Sequence, residues 1–306
     1  MSVIWGVPYL FIRVAVRGLD PAVVVCGRTL IGAVVLLPLA ARANALRPVL
    51  PAWRWVVAFG VVEMAIPWYL LTDAERHLPS ALTGLLVAAV PLVGALIAVV
   101  GGHEDRMTGL RAVGLLVGLL GVVALLGVDL DLNGAGGWPV VEVMLVAVCY
   151  ATGPVILSRR LAGLPGLGVS ALSLSVAAAL YVVPGVLLWP AAAPAASAVW
   201  SVVALGLVCT ALAFVLFYDL IAEMGPTRAT VITYLNPAVA LVLGVLVLGE
   251  HPTVGMLVGF PLVLLGSVLA TRGPRRTASG RPRGGRARIP GPAAGEGQQV
   301  ASSNSP

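Results

Sequence analysis

Two ionisable side chains interrupt long apolar stretches of this sequence and could do chemistry there. Arg28 follows the run PAVVVCG, and Glu63 lies within AFGVVEMAIPW. A charge inside hydrocarbon costs several kcal/mol, so such residues usually face a cavity or a partner. At about 1.5 Å per helical residue, both lie roughly 10 to 12 Å below the same end of neighbouring helices. We expect that they can pair, either as a static ion pair or as a coupling site in which Glu63 takes up a proton.

A further group of polar residues recurs at helical spacing. Thr230 and Tyr234 share one stripe with Pro237, and Thr233 and Asn236 lie on the adjoining stripe. These side chains could bind a substrate in a cavity, or they could hydrogen bond to neighbouring helices. The second use stabilises a helix pair by only about 0.6 kcal/mol per contact.

Aromatic residues and prolines offer two more candidate features. Trp68, Tyr69 and Tyr218 lie near the ends of two apolar segments, where they could line a cavity or anchor the segments at the membrane interface. Pro91 and Pro237 each fall near the middle of a segment, where proline frees a carbonyl group and bends a helix. The two prolines are predicted hinges, with static kinks as the alternative.

No pattern in the sequence indicates enzymatic chemistry. There is no G-x-x-x-x-G-K-[ST] motif for ATP, and the cysteines and histidines do not have the spacing of metal ligands. The apolar segments contain no catalytic dyad, and outside the C-terminal tail there is no basic patch for nucleic acid. We therefore expect no catalytic residue, no metal, no cofactor and no nucleic-acid partner.

The composition identifies the elements that must position these residues. Of 306 residues, 59% are apolar and 10% are charged, whereas soluble domains are about 25% charged. A helix that crosses a bilayer needs about 20 apolar residues, and ten segments approach that length. The prediction is an all-α polytopic membrane protein whose segments are approximately Ser2–Val16, Pro21–Ala41, Trp53–Leu71, Pro79–Val100, Leu110–Val128, Trp138–Leu157, Val169–Trp189, Val199–Leu220, Pro226–Leu248 and Thr253–Ala270.

The two halves of the chain match at a constant offset of 146 residues. Because each half has five segments, an odd number, the two must have opposite orientations in the membrane. Inverted repeats of this kind are typical of secondary transporters. The sequence thus predicts a first repeat at 1–128, a second at 138–270 and a disordered tail at 271–306. The matched pairs are Pro8/Pro154, Arg13/Arg159, Pro38/Pro184, Gly60/Gly206, Asp73/Asp219, Pro91/Pro237, Glu104/Glu250 and Gly109/Gly255.

The arginines predict the orientation. If the N-terminus is cytoplasmic, fifteen arginines lie on that side and three on the other, as the positive-inside rule requires. Residues 271–306 carry the whole net charge of +6, and the rest of the chain is neutral. We expect a multi-pass protein of the inner (plasma) membrane with both termini cytoplasmic. The tail could bind anionic lipid or serve only to determine the topology.

Several local patterns resemble the drug/metabolite transporter superfamily, specifically its EamA-type ten-helix branch. The chain departs from the family in a short first segment and in Gly-His-Glu where Leu-Gly-Glu is usual. The resemblance implies a cavity lined by helices three, four, eight and nine, and export from the cytoplasm. The residues that carry it are Trp5-Gly6, Arg28, Pro91, His103-Glu104, Asn236-Pro237 and Leu248-Gly249-Glu250.

These observations predict a secondary transporter that exports amino acids or related small metabolites by alternating access, with proton coupling as a further hypothesis. Multidrug efflux is the alternative within the same class. An intramembrane enzyme or a membrane scaffold is the alternative from another class. The lipid bilayer and a small-molecule substrate are the expected partners, and the choice between monomer and homodimer stays open.

Overall fold

The computed structural model describes residues 1–100, 109–127, 137–224 and 235–271, and within these ranges the elements are helical. We number ten helices in chain order. The first five are α1 (Ser2–Gly6 and Pro8–Ala15), α2 (Pro21–Arg42), α3 (Trp53–Gly60, Val61–Ala65 and Ile66–Ala74), α4 (Ser80–Val87 and Val90–Val100) and α5 (Gly109–Gly127). The second five are α6 (Trp138–Arg160), α7 (Gly166–Leu187), α8 (Ala196–Gly206, Leu207–Leu212 and Ala213–Met224), α9 (Asn236–Leu248) and α10 (Val254–Thr271).

The helices form a multi-pass membrane protein. Eight of those described, α2 to α8 and α10, are long and apolar enough to cross a bilayer, whereas α1 and the described part of α9 are shorter. Large apolar side chains cover the outside of the bundle. Exposed tryptophans lie near helix ends, where their amphipathic rings suit the headgroup region. These are Trp53, Trp55, Trp138, Trp189 and Trp200.

Two predicted segments are interrupted rather than continuous. α1 is divided at Val7, directly before Pro8, and α4 is divided at Ala88 and Ala89. Pro91 is the second residue of the second part of α4, a position where proline costs little because its missing N–H would have no helical partner. The Ala88 carbonyl at the break accepts a hydrogen bond of 3.4 Å from Ser267 on α10.

Local irregularities recur at the repeat offset. α3 contains a π-helical turn at Val61–Ala65, and α8 contains one at Leu207–Leu212, starting 146 residues later. The second part of α4 begins at Val90, and α9 begins at Asn236, again 146 residues later. A π turn inserts one extra residue and rotates the side chains that follow, and such turns are frequent at functional sites.

The packing between the halves is reciprocal. α1 packs on α8 and α9, just as α6 packs on α3 and α4, and the pairs α2/α7, α4/α9 and α5/α10 join equivalent helices. A two-fold relation between two similar units produces this pattern. The opposite orientation of the two units in a membrane stays a prediction.

Glycines allow the closest of these pairs. A Cβ atom added at Gly114 of α5 would lie 2.4 Å from the Ala270 nitrogen of α10, and one added at Gly266 would lie 2.3 Å from the Gly118 nitrogen. Small residues of this kind let two helix backbones approach within a membrane.

Candidate functional site

Arg28 lies inside the bundle, where α2 meets α3 and α8. Its side chain is buried, and its Nε donates a hydrogen bond of 2.9 Å to Oγ1 of Thr210 in the π turn of α8. The guanidinium carbon lies 3.7 Å from the centroid of the Trp68 ring on α3. Trp68 is itself buried. A hydroxyl group and an aromatic face thus hold the cation in place without neutralising it.

Glu63 lies in the π turn of α3 and points at α6. A Cβ atom added at Gly153 would lie 1.8 Å from Oε2 of Glu63, so only glycine leaves room for the carboxylate there. This oxygen is buried and has no hydrogen-bond partner. A buried, unsatisfied acceptor is costly, and in a native structure it calls for a ligand, a proton or a water molecule.

The predicted pairing of Arg28 with Glu63 stays a prediction, and this conformation does not form it. Among the described residues these two form no ion pair with each other. The prediction assumed a regular helix, whereas the π turn rotates Glu63 toward Gly153 of α6. Meanwhile the hydrogen bond to Thr210 holds Arg28 toward α8.

Tyr150 on α6 connects the two charges. It interacts electrostatically with both Glu63 and Arg28, and it shares a side-chain hydrogen bond with Trp68. We call Arg28, Glu63, Trp68, Tyr150 and Thr210 the central site. Sequence reasoning missed Tyr150, Thr210 and Gly153. The repeat offset was a usable signal for part of this, since it aligns Glu63 with Cys209, the neighbour of Thr210.

The other predicted aromatic residues have ring or hydroxyl partners. Tyr69 stacks on Tyr181 with ring centroids 5.8 Å apart. Tyr218 stacks on Phe214 at 6.3 Å and shares a hydrogen bond with Ser170. Their predicted role in lining a cavity stays a prediction.

The polar stripe near Pro237 lies largely outside the part of the chain that the structure describes. This applies to Thr230, Thr233 and Tyr234. Asn236 is the first residue of α9 and half-buried, and its carbonyl oxygen would lie 2.9 Å from a Cβ at Gly6. Pro237 is the second residue of α9, equivalent to Pro91 in α4. The hinge role of the two prolines stays a prediction.

A second charged cluster joins the two halves at one end of the bundle. Glu250, just after α9, accepts hydrogen bonds from the backbone nitrogens of Ser80 (2.8 Å) and Ala81 (2.9 Å) at the start of α4. Arg13 on α1 donates a hydrogen bond to the main-chain carbonyl of Glu75. We call Arg13, Glu75, Ser80 and Glu250 the end cluster.

Glu75 is the unusual member of the end cluster, and sequence reasoning did not select it. The residue is completely buried, yet both carboxylate oxygens lack a hydrogen-bond partner. It directly follows the last residue of the α3 span. Burial raises the pKa of the Glu75 carboxyl well above its usual range, the Arg13 charge opposes this, and Glu250 adds to it.

A carboxyl pair lies at the same end of α3. Asp73 forms an ion pair of 3.3 Å with Arg76 and a side-chain hydrogen bond with Glu142 of α6. Two carboxyl groups can hydrogen bond to each other only when they share a proton. In the described ranges no group of three or more His, Cys, Asp or Glu side chains could hold a metal ion.

Comparison with known proteins agrees with this architecture. The profile of the EamA-like transporter family matches residues 1–127 and 137–272, one match for each half. The chain is 31% identical over 284 residues to the "Probable terminal-alkyne amino-acid exporter" of Streptantibioticus cattleyicolor, covering 90% of this chain and 94% of that protein. It is 28% identical over 278 residues to the "Uncharacterized inner membrane transporter YedA" of Escherichia coli (strain K12), with 89% of each covered.

A solved crystal structure shares the same fold. It superposes with a TM-score of 0.59 at 25% sequence identity and covers 88% of this chain and 94% of its own. Because the family profile covers nearly the whole chain in two matches, the chain belongs to the EamA-like transporter family.

Proposed function

We propose that this transporter exports zwitterionic amino acids or closely related metabolites from the cytoplasm by alternating access between the two repeats. The observation that carries the proposal is the central site. One buried cation and one buried carboxylate, both close to Tyr150, face the interior of a transporter without pairing with each other. Buried charges are normally paired or bound to a ligand. A substrate with one charge of each sign would satisfy both.

The chemistry of an α-amino acid fits these two residues. Arg28 can bind a carboxylate through two parallel N–H donors, and such charge-assisted hydrogen bonds are roughly twice as strong as neutral ones. Glu63 can accept hydrogen bonds from the substrate ammonium group. Trp68, which lies against the Arg28 guanidinium, and Tyr150 provide aromatic surface beside the charges for the substrate side chain. A relative named as an amino-acid exporter supports the same substrate class.

The membrane and orientation follow the arginine distribution. We place the protein in the inner (plasma) membrane with both termini cytoplasmic, because most arginines outside the helices would then lie on the cytoplasmic side. In this orientation the end cluster faces away from the cytoplasm. We propose that the arginines of the C-terminal tail can bind anionic lipid, which attracts arginine. The protein acts as a carrier and catalyses no covalent reaction.

Counterflow in sealed proteoliposomes tests the function. Vesicles preloaded with an unlabelled amino acid should accumulate the labelled form only when they contain the protein. A panel of neutral amino acids identifies the preferred side chain. N-acetyl derivatives lack the ammonium charge and amides lack the carboxylate, so both should compete far more weakly than the parent amino acid.

Two variants connect the assay to the central site. Replacing Arg28 by Met should abolish exchange, whereas Arg42→Gln, which changes an exposed arginine at the end of α2, serves as the matched control. Failure of the whole panel, combined with exchange of a cationic drug, would support multidrug efflux instead. If the N-acetyl derivatives compete as strongly as the parent amino acid, Glu63 does not bind the substrate ammonium group.

A further inference from the structure

The end cluster would carry a net negative charge if both of its carboxyl groups were ionised. Glu75 and Glu250 are two carboxyl groups, and Arg13 acts electrostatically on Glu75 as the nearby cation. Glu250 directs both oxygens at backbone N–H groups of α4, an arrangement that stabilises its ionised form. With Glu250 ionised, the charge of Arg13 balances only one of the two carboxylates. Glu75 is therefore the carboxyl group that a further positive charge, a proton or a metal ion, would neutralise.

The side-chain hydrogen bonds of the end cluster do not reach the carboxylate of Glu75. The Arg13 guanidinium reaches the Glu75 carbonyl oxygen and not its carboxylate. Both carboxylate oxygens lack a hydrogen-bond partner, and the Arg13 backbone is the weakest of the groups that act on the carboxyl. The hydroxyl of Ser80, beside Glu250, is likewise buried without a partner. Tyr9 on α1 is a further titratable group with which Glu75 interacts electrostatically. On its own segment the nearest ionisable neighbours in sequence are Asp73, Arg76 and His77.

A proton fits this site better than a metal ion. Ca²⁺ takes six to eight oxygen ligands, Mg²⁺ takes an octahedron of them, and transition metals favour sets of Cys, His and carboxylate side chains. The described residues gather no such group of three or more, and the Arg13 charge would repel a cation. A proton needs only one carboxylate oxygen.

We propose that Glu75 carries a proton in this conformation and releases it when the contact between α4 and α9 opens. Separation of Glu250 from Ser80 and Ala81 would admit water to the end cluster. The O–H bond of the Glu75 carboxyl then breaks, the proton passes to water at that end of the bundle, and the carboxylate pairs with Arg13. Coupling of this proton to export rests on the proposed function, whereas the proton site itself does not.

The first test measures the proton directly in the purified full-length protein. Infrared difference spectra across a pH titration detect protonated carboxyl groups through their C=O stretch. We expect wild type to keep a protonated carboxyl at neutral pH that Glu75→Gln lacks. Glu223→Gln, which changes an exposed glutamate on α8, should keep it. An identical carboxyl signal in wild type and Glu75→Gln would overturn the proposal.

A second variant covers the case in which Glu75→Gln does not insert correctly. Removing the positive charge with Arg13→Gln makes the carboxylate less favourable, so the Glu75 signal should persist to higher pH, whereas Arg13→Lys keeps the charge and should change it less. A titration of Arg13→Gln that is unchanged or moved to lower pH would overturn the proposal.

The coupling is tested in proteoliposomes with an imposed pH gradient. Wild type should accumulate amino acid in response to the gradient, and Glu75→Gln should lose that response. Gradient-driven accumulation that persists in Glu75→Gln would overturn the coupling. If wild type exchanges no amino acid at all, the proposed function fails, and the infrared titration still decides whether Glu75 holds a proton.

Discussion

The central site and the end cluster both combine an arginine with a glutamate that has a buried, unpartnered carboxyl oxygen, yet they use the combination differently. In the central site Arg28 contacts Thr210 and Trp68, Glu63 has a buried oxygen without a partner, and Tyr150 interacts with both charges. In the end cluster the charged side chains bind other parts of the protein. Glu250 accepts hydrogen bonds from the backbone at the start of α4, and Arg13 donates one to the backbone carbonyl of Glu75. Separated charges suit a ligand, whereas a carboxyl enclosed by packed helices suits a proton.

The largest expected effect is the loss of transport in Arg28→Met. Removing one partner of a buried, hydrogen-bonded charge pair costs about 2 to 5 kcal/mol, which lowers exchange by roughly 30-fold or more. Arg28→Lys keeps the positive charge and should keep part of the activity. It should not keep all of it, because a lysine cannot bind a carboxylate through two parallel donors. Concentration-dependent counterflow measures both variants. Wild-type exchange in Arg28→Met would show that the central site does not bind substrate.

The next effect concerns stability against pH and the end cluster. The pKa of Glu75 is higher in the folded state than its unfolded value of about 4.3. Between these two pKa values the folded protein binds more protons than the unfolded protein. The stability that a protonated Glu75 contributes is therefore fully present below about pH 4.3, and it is lost as the pH rises through the folded pKa. The loss is about 1.4 kcal/mol per pH unit for one proton.

Thermal unfolding of wild type and Glu75→Gln at several pH values measures this effect. The variant is neutral at every pH and should show a flatter curve. The Glu223→Gln protein is the control, since its curve should run parallel to wild type. Parallel curves for wild type and Glu75→Gln would contradict the prediction.

A smaller effect separates the two regions by stability alone. Glu250→Gln loses an accepting oxygen at the start of α4, and a hydrogen bond to a charged group stabilises a protein by roughly 1.5 to 3 kcal/mol. Glu63→Gln should cost nothing or stabilise the fold, because Oε2 of Glu63 has no partner to lose. Unfolding midpoints in detergent compare the two. A larger fall in the unfolding midpoint for Glu63→Gln than for Glu250→Gln would contradict this prediction.

The smallest expected effect tests the placement of the Glu63 carboxylate. Gly153→Ala puts a methyl group where Oε2 lies and should displace it. We expect an apparent affinity for amino acids weaker by about tenfold, equivalent to about 1.4 kcal/mol. In a Glu63→Ala background the same change should have little further effect, because the displaced group is absent. Additive losses in the double variant would indicate that Gly153 acts independently of Glu63.

The sequence was informative wherever local pattern decides the outcome. Apolar segment length identified the helices, and the offset of 146 residues is the one at which the two π turns recur, although nothing in the sequence indicated a π turn. The stretch around Glu63 has no glycine or proline within the turn itself to mark a π turn. Its presence depends on packing against α6 and α7, which are far away in the chain.

Glu75 and Glu250 show the same limit at the end of the bundle. In sequence both look like solvated charges at helix ends. Burial of Glu75 and the two hydrogen bonds of Glu250 follow from the contact of α4 with α9, between residues about 170 positions apart.

By itself, the sequence determined that the chain is a helical membrane protein with two related halves, because hydrophobic length and residue identity at a fixed offset are properties of the chain alone. Only the tertiary structure decided that Arg28 contacts Thr210 and Trp68 instead of Glu63, and that Glu75 is enclosed. The physical reason is that one inserted residue in a π turn rotates a side chain to another helix face, and desolvation depends on which helices then surround it.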